Sequence, residues 1–522
     1  MTPAPDMANQ KEDTSVKAER LAKNSLFIYL RMLIIMVVTL YTSRVVLEAL
    51  GVTDFGIYNV VAGLVTFLSF FNVSLVNAIQ RYLNIGIAKN DPALTRKYFN
   101  QCMCLYLWFV VGVLIVGETA GSWFVLNKLV IPPDRLDAAF WAYQFALLYG
   151  VINVVQIPYM GVLIARERMS VYAYMAFIEV IFKLVCVYML LICPAPDRLP
   201  LYSAFLAISM GVCTFIYAWY CRRFQETRLC WVWDRRLVKE MGRFIGMTLF
   251  GSFAWLVGAQ GTNILLNLFF GPVVNASRGI AVQVSGTINR FTDSIITALK
   301  PQIVQSYASN EIGYMHSLIH KGSVYAFIFM SMLSAPLLLN INTVLDLWLV
   351  DVPDYAGLFT QLVVLELLVY TLQNPLSIAA NATGNLKRCQ VIGRLFHVIA
   401  LPLSYLLLKI WHDPVMPFWV LILMAFCFLV YCIYDLHEQV GLTYSGYFKN
   451  VVKPLAITIL PLMAVLLSFN SLIAEGVVRI LVDGALVLAI VLPVVYIFVM
   501  GRQERNYVKK MLRKTPLAKF VR

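Results

Sequence analysis

Residues 415–434 read VMPFWVLILMAFCFLVYCIY, a run with no charged side chain. Coiled as an α-helix, a run of this length crosses a hydrocarbon core of roughly 30 Å. Backbone polar groups in hydrocarbon must be satisfied internally, which leaves helices or a closed barrel. Long unbroken apolar runs, rather than short alternating ones, select helices. Comparable runs recur at about 24–50, 58–84, 101–117, 138–163, 170–192, 200–220, 244–270, 273–299, 322–345, 358–382, 391–410, 451–469 and 476–500. The expected fold class is an all-α polytopic membrane protein with about 14 transmembrane helices. With 60% hydrophobic and 13% charged residues, the composition lies outside the soluble globular range.

The charges that remain set an orientation. With the N-terminus inside, the tail, the even-numbered loops and the C-terminus carry 30 of the 42 Lys and Arg residues, including the cluster Arg222, Arg223, Arg228, Arg235, Arg236, Lys239 and Arg243. The opposite side carries Lys128, Arg135, Arg198, Lys409 and Arg479. This asymmetry is a positive-inside signal and places both termini in the cytoplasm. The net charge of +14 is thus read as topology and as attraction to membrane lipids, not as a nucleic-acid footprint. The polar first 23 residues lack a short apolar segment leading to a cleavage site, so no removable signal peptide is expected. The ten cysteines have no paired spacing and read as small core hydrophobes. His316 and His320 share a helical spacing but lack the glutamate of a zinc protease. No metal, no catalytic group and no cofactor is expected.

A repeat subdivides the chain. Gln156-Ile157-Pro158 with Ala165 matches Gln373-Asn374-Pro375 with Ala382, and Asn59 and Gly63 match Asn275 and Gly279 at nearly the same offset. The implied organisation is a cytoplasmic tail (1–23), a first six-helix lobe (24–221), a basic cytoplasmic loop (222–243), a second six-helix lobe (244–440), two added helices (451–500) and a basic tail (501–522). Lobes of six helices enter from the same side and are related by an axis along the membrane normal, as in some secondary transporters.

An ionisable group at mid-membrane costs roughly 2.5–3.5 kcal/mol on insertion scales, so it should face protein or a water-filled cavity. Glu179 with Lys183, Arg44 with Glu48, Arg290 with Asp293, and Arg479 with Asp483 can pair along their own helices. Arg31 and Arg278 have no acid three or four residues away. Arg394 also lacks a nearby acid but lies near the inner surface. Guanidinium groups facing one central cavity would make an anion site, because arginine grips phosphate with a planar fork that keeps its charge. Glu179, Asp293 and Glu366 are the intramembrane acids able to bind a proton or sodium ion. Glu366 has an alternative role as partner to one of the arginines.

The stretch Ser43-Arg44, Leu50-Gly51-Val52-Thr53-Asp54-Phe55-Gly56-Ile57-Tyr58 and Asn77-Ala78-Ile79-Gln80-Arg81-Tyr82 resembles the opening of bacterial polysaccharide exporters. These are the O-antigen and capsule flippases of the multidrug, oligosaccharidyl-lipid and polysaccharide exporter superfamily. Pro158 to Arg168, Lys300-Pro301 and Ala379 to Lys387 extend the resemblance over most of the chain. It implies two six-helix lobes in a MATE-like V-shaped arrangement, in a bacterial inner membrane. It further implies transport of an undecaprenyl-pyrophosphate-linked oligosaccharide from the cytoplasmic to the periplasmic leaflet by alternating access.

On that reading Arg31 and Arg278 bind the pyrophosphate, with Arg290 and Arg394 as weaker candidates. Tyr41, Thr42, Asn72, Asn77 and Gln260 are candidates to line the cavity, and a proton or sodium gradient is the candidate energy source. The expected partners are the lipid-linked oligosaccharide, membrane lipids and other membrane proteins of polysaccharide assembly. Two alternatives share the fold: a cation-coupled multidrug exporter, disfavoured because residues 24–47 contain no acid, and a flippase for lipid-linked peptidoglycan precursors. A membrane polymerase or ligase is the alternative of a different class, and the short loops expected on the outer side speak against it.

Overall fold

The computed structural model describes residues 37–65, 75–76, 79–80, 82–87, 89, 91–166, 168–193, 197–230, 233–383, 386–470, 473–501 and 505. Among these residues there are helices and no strands. The long helices are α1 (Val37–Val65), α2 (Pro92–Asn127), α3 (Pro133–Ala165), α4 (Met169–Ile192), α5 (Arg198–Cys221), α6 (Arg235–Phe270), α7 (Pro272–Ala308), α8 (Ile312–Leu339), α9 (Ala356–Ala382), α10 (Leu386–Trp411), α11 (Met416–Val440), α12 (Tyr444–Asn470) and α13 (Val477–Val499). Ten helices among the described residues are long and apolar enough to cross a membrane. α6, α7 and α10 fall outside that set although they occupy the seventh, eighth and eleventh expected positions. The reason is plainest for α7, which carries Asn275, Arg278, Gln283, Asn289 and Arg290.

α1 spans the position where a loop at 51–57 is expected. The chain reverses there at one residue, Gly51, whose φ of +75° suits a residue without Cβ. The fold-back follows from the contacts of α7. Thr39 accepts a hydrogen bond from Gln283 at 3.2 Å, while Asn59 lies against Gly279, one turn away on the same helix. A straight helix would hold Thr39 and Asn59 about 30 Å apart. Gly271, with φ +80°, makes the corresponding turn between α6 and α7. These two hairpins, the first of each expected lobe, therefore each close through a single positive-φ glycine.

The helices pack in two groups. α2, α3, α4 and α5 contact one another in chain-adjacent and cross-packed pairs, and α7 to α11 do the same around α9, with α6 against α10. α12 and α13 pack on α8, and their Leu462, Leu466, Val487 and Val491 share one apolar core with Leu318, Ile319, Ala379 and Leu436. The equivalent prolines of the repeat, Pro158 and Pro375, lie inside α3 and α9. The 222–234 connection is fastened to α2. There Asp234 caps α6 through the Arg236 and Leu237 amides and binds Lys97 Nζ at 2.8 Å. Lys97 and these two amides hold the Asp234 carboxyl below the usual aspartate range.

Two expected intrahelical pairs are replaced. Arg44 Nη1 donates to the carbonyl of Leu347 at 3.2 Å rather than pairing with Glu48. Arg479 pairs with Glu475 at 3.7 Å, while Asp483 accepts from Asn340 Nδ2 at 2.6 Å. In both cases a neighbouring helix end offers backbone or amide polarity that sequence spacing does not reveal. The Glu179–Lys183 pair forms, at 2.9 Å.

At the end of the bundle marked by Gly51 and Gly271 the two groups are clasped together. A core of Val45, Val46 and Leu47 meets Ala276, Ile280 and Leu345. Asn267 exchanges hydrogen bonds with the backbone of Val130 at 2.9 and 3.4 Å. Trp348 Nε1 donates to Leu40 O at 2.8 Å, and Asn263 donates to Asn59 O at 3.3 Å. A Cβ built on Gly56 would overlap the Pro272 carbonyl, which is backbone and cannot turn aside. Gly56→Val is therefore expected to destabilise the protein by about 1–3 kcal/mol, the usual cost of overpacking. Gly112→Ala, which meets nothing within 4 Å, is the matched control. Thermal unfolding of the two variants in detergent checks this: the Gly56 variant should melt several degrees lower, the Gly112 variant unchanged.

Candidate functional site

Just inside the clasp lies a cavity of about 540 Å³. Its wall comes from both arms of α1, from α3, α4 and α5, and from α7 of the other group, which contributes Arg290. Counted at about 1.5 Å per residue from the clasped end, Tyr58, Lys183, Leu206 and Thr39 stand roughly 10–20 Å deep and Arg290 roughly 28 Å deep. The first four stand near the middle of a hydrocarbon core of roughly 30 Å, and Arg290 stands toward its far side.

The chemistry of the wall is cationic and hydroxyl-rich. Lys183 holds the Glu179 carboxylate at 2.9 Å, with Tyr149 beside it in the same wall. Tyr58 packs edge-on against Tyr202, with ring centroids 5.0 Å apart, and Ser203 stands one residue on in α5. Lys183 and Arg290 bring two cationic side chains, and Glu179 one carboxylate, to a low-dielectric enclosure. An anion entering it gains more than it would in water. The surrounding tyrosine rings give apolar faces with polar tips, suited to sugars and to the oxygens of a phosphate.

The residues singled out from sequence fall in several places. Arg290, Glu179 and Thr42 line the cavity. Thr42 Oγ1 donates to its own helix, at Val38 O, 2.6 Å away. Tyr41, 43% exposed, points elsewhere and its hydroxyl meets that of Tyr188 at 2.9 Å. Gln260 sits at the seam between the groups, against Gly63.

Arg278 is buried in the second group, its guanidinium 5.5 Å from the Phe418 ring and within electrostatic range of Glu366. Tyr370 stands one helical turn from Glu366 on α9. Arg31, Asn72 and Asn77 lie outside the described residues, as do the side chains of Asp293 and Arg394. Sequence reasoning treated Lys183 only as half of an ion pair and passed over Tyr58, Tyr149 and Tyr202. Intramembrane tyrosines at irregular spacing carry no signal that separates a cavity wall from an interface.

If the cavity is hydrated, a cysteine at position 42 reacts with a polar thiol reagent. Mass-mapped labelling should find Thr42→Cys modified at least tenfold faster than a cysteine at the fully buried Ala142. Equal rates would mean the enclosure is closed to water.

Residues 21–307 match the sequence model of a family described as polysaccharide biosynthesis protein. No curated protein sequence matches the chain. Among solved structures the chain is similar to a lipid II flippase MurJ in an inward closed conformation, with a TM-score of 0.71 at 9% identity, covering 92% of this chain and 100% of that one. It is also similar to a multidrug resistance MATE family transporter of the MOP superfamily. The inward-facing form gives a TM-score of 0.59 at 13% identity over 79% of this chain and 98% of that one. An outward-facing conformation of such a transporter gives 0.51 at 12% identity over 79% and 96%. At these identities the likeness is one of fold.

Proposed function

The chain belongs to the polysaccharide biosynthesis protein family, a membrane transporter by fold, and from that premise we propose that it flips an undecaprenyl-pyrophosphate-linked oligosaccharide between leaflets. The observation that carries this reading is the cavity shared by the two helix groups, with Lys183 and Arg290 in its wall. A pyrophosphate crossing the membrane needs compensating cations where it crosses. The ammonium of Lys183 near mid-depth and the guanidinium fork of Arg290 nearer the opposite face supply them. Glu179 holds Lys183 in place, with its charge balanced, before the substrate arrives. The prenyl chain stays in lipid while the head occupies the enclosure.

The basic residues orient the molecule with both termini in the cytoplasm of a bacterial inner membrane. The Gly51 and Gly271 turns then face the periplasm, and the clasp closes the periplasmic side. Opening it while the opposite side closes would deliver the head group outward. Arg31 and Arg394 remain further candidates for phosphate contact along the path.

In cells that depend on this protein for surface glycan, Arg290→Ala and Lys183→Met are each expected to lower export at least tenfold at unchanged protein level. Arg290→Lys should retain more activity than Arg290→Ala, because it keeps charge and loses only the fork. Lectin staining of whole cells reads the outcome. Near-normal staining in both single variants and in the double variant removes the phosphate role from this cavity.

A further inference from the structure

The mechanism above leaves a second intramembrane cluster unused. On α9, Glu366 and Tyr370 are one turn apart on the same helix face and interact electrostatically. The Tyr370 hydroxyl in turn meets His397 Nε2 of α10 at 2.8 Å, with the two rings stacked at 6.1 Å and 24°. Arg278 of α7 lies within electrostatic range of Glu366. α8 and α11, which also pack on α9, meet it near this level with Met330, Leu337 and Phe418, none of which titrates. Glu366, Tyr370 and His397 each keep part of their surface accessible. This is a line of proton-carrying groups ending on a carboxylate, set in the helix group opposite to Glu179 and Lys183.

We propose that His397, Tyr370 and Glu366 form a proton relay that couples transport to a proton gradient, with Arg278 sensing the charge of Glu366. The proposal rests on the flippase reading for what is coupled, but not for the relay itself. A proton taken up at His397 Nδ1 makes an imidazolium. Its Nε2 proton passes to the Tyr370 oxygen as the Tyr370 hydroxyl proton passes to the Glu366 carboxylate. The result is a neutral carboxylic acid, an intact tyrosine, and a neutral imidazole protonated at Nδ1.

The chemistry favours a proton over sodium. A guanidinium beside the carboxylate repels a metal cation, and a phenol and an imidazole carry protons readily but make poor sodium ligands. The consequence is mechanical. Arg278 directly precedes Gly279, where α7 rests on Asn59 of the other group, and Ser277 is tied to the carbonyl of Asp354. Neutralising Glu366 removes its attraction for Arg278 immediately behind the seam that must open.

Two measurements on the full-length protein test this. In pH-difference infrared spectra, the wild type should show a carboxylic-acid C=O band that Glu366→Gln deletes and Tyr370→Phe shifts. In vesicles given a fluorescent undecaprenyl-pyrophosphate oligosaccharide, a pH gradient should accelerate flipping, and Tyr370→Phe and His397→Gln should each cut that acceleration at least tenfold. Both variants should keep gradient-free equilibration within twofold. The relay is overturned by a band that survives Glu366→Gln, by full acceleration in both relay variants, or by a wild type driven by sodium alone. Absence of any flipping by the wild type would instead count against the flippase reading, while the infrared arm still decides the relay.

Discussion

A polar helix in a hydrocarbon solvent is the constraint on which this structure turns. α7 carries two arginines and a series of amides, and lipid cannot solvate them; the helix is stable in a membrane only if protein or enclosed water surrounds it. Polar side chains of α7 accordingly meet protein polarity or a cavity. Asn275 donates to Asn263 O and Oδ1 at 2.7 Å, Gln283 bonds the first hairpin, Arg278 lies within electrostatic range of Glu366, and Arg290 enters the cavity. Two helix groups are needed because one alone would leave a face of α7 against lipid. The seam between the groups and the site inside it have the same physical origin.

That origin also explains why the seam is built from small residues. Gly56 beneath Pro272, Gly63 beneath Gln260 and Asn263, and Gly279 beneath Asn59 let backbones approach closely enough for amide side chains to bond across. Such contacts hold membrane helices together where no hydrophobic drive exists between them. They are also contacts that can be exchanged without exposing apolar surface, since lipid is as apolar as the side chains that would be uncovered. A transporter that must open and close one end of its bundle needs a joint of this kind.

Much of the fold was legible in the chain because hydropathy is a direct image of the solvent. The run 415–434 and its counterparts fall on helices wherever the residues are described, and Pro158 and Pro375 fall inside equivalent helices. What sequence did not show was which polar partner each intramembrane charge would choose. Arg44 has an acid at helical spacing yet takes the carbonyl of Leu347, and Arg479 takes Glu475 on its N-terminal side because Asn340, from another helix end, occupies Asp483. Arg278 looked solitary along its helix, and its electrostatic neighbour Glu366 is far away in sequence. Lys183 looked occupied by Glu179, and the structure shows the pair standing in a cavity wall. Spacing along one helix says little about groups that meet across helices, and a transport site is made of such meetings.

The central claim is that the two helix groups enclose a site through which a lipid-linked, pyrophosphate-bearing head group crosses the bilayer. The direct measurement is reconstitution of the purified protein into vesicles carrying a defined undecaprenyl-pyrophosphate oligosaccharide, scoring how fast the sugar becomes accessible to an impermeant glycosidase on the opposite side. The account predicts protein-dependent exposure that is lost when both Lys183 and Arg290 are replaced. Exposure no faster than in protein-free vesicles, or unaffected by the double replacement, would contradict it.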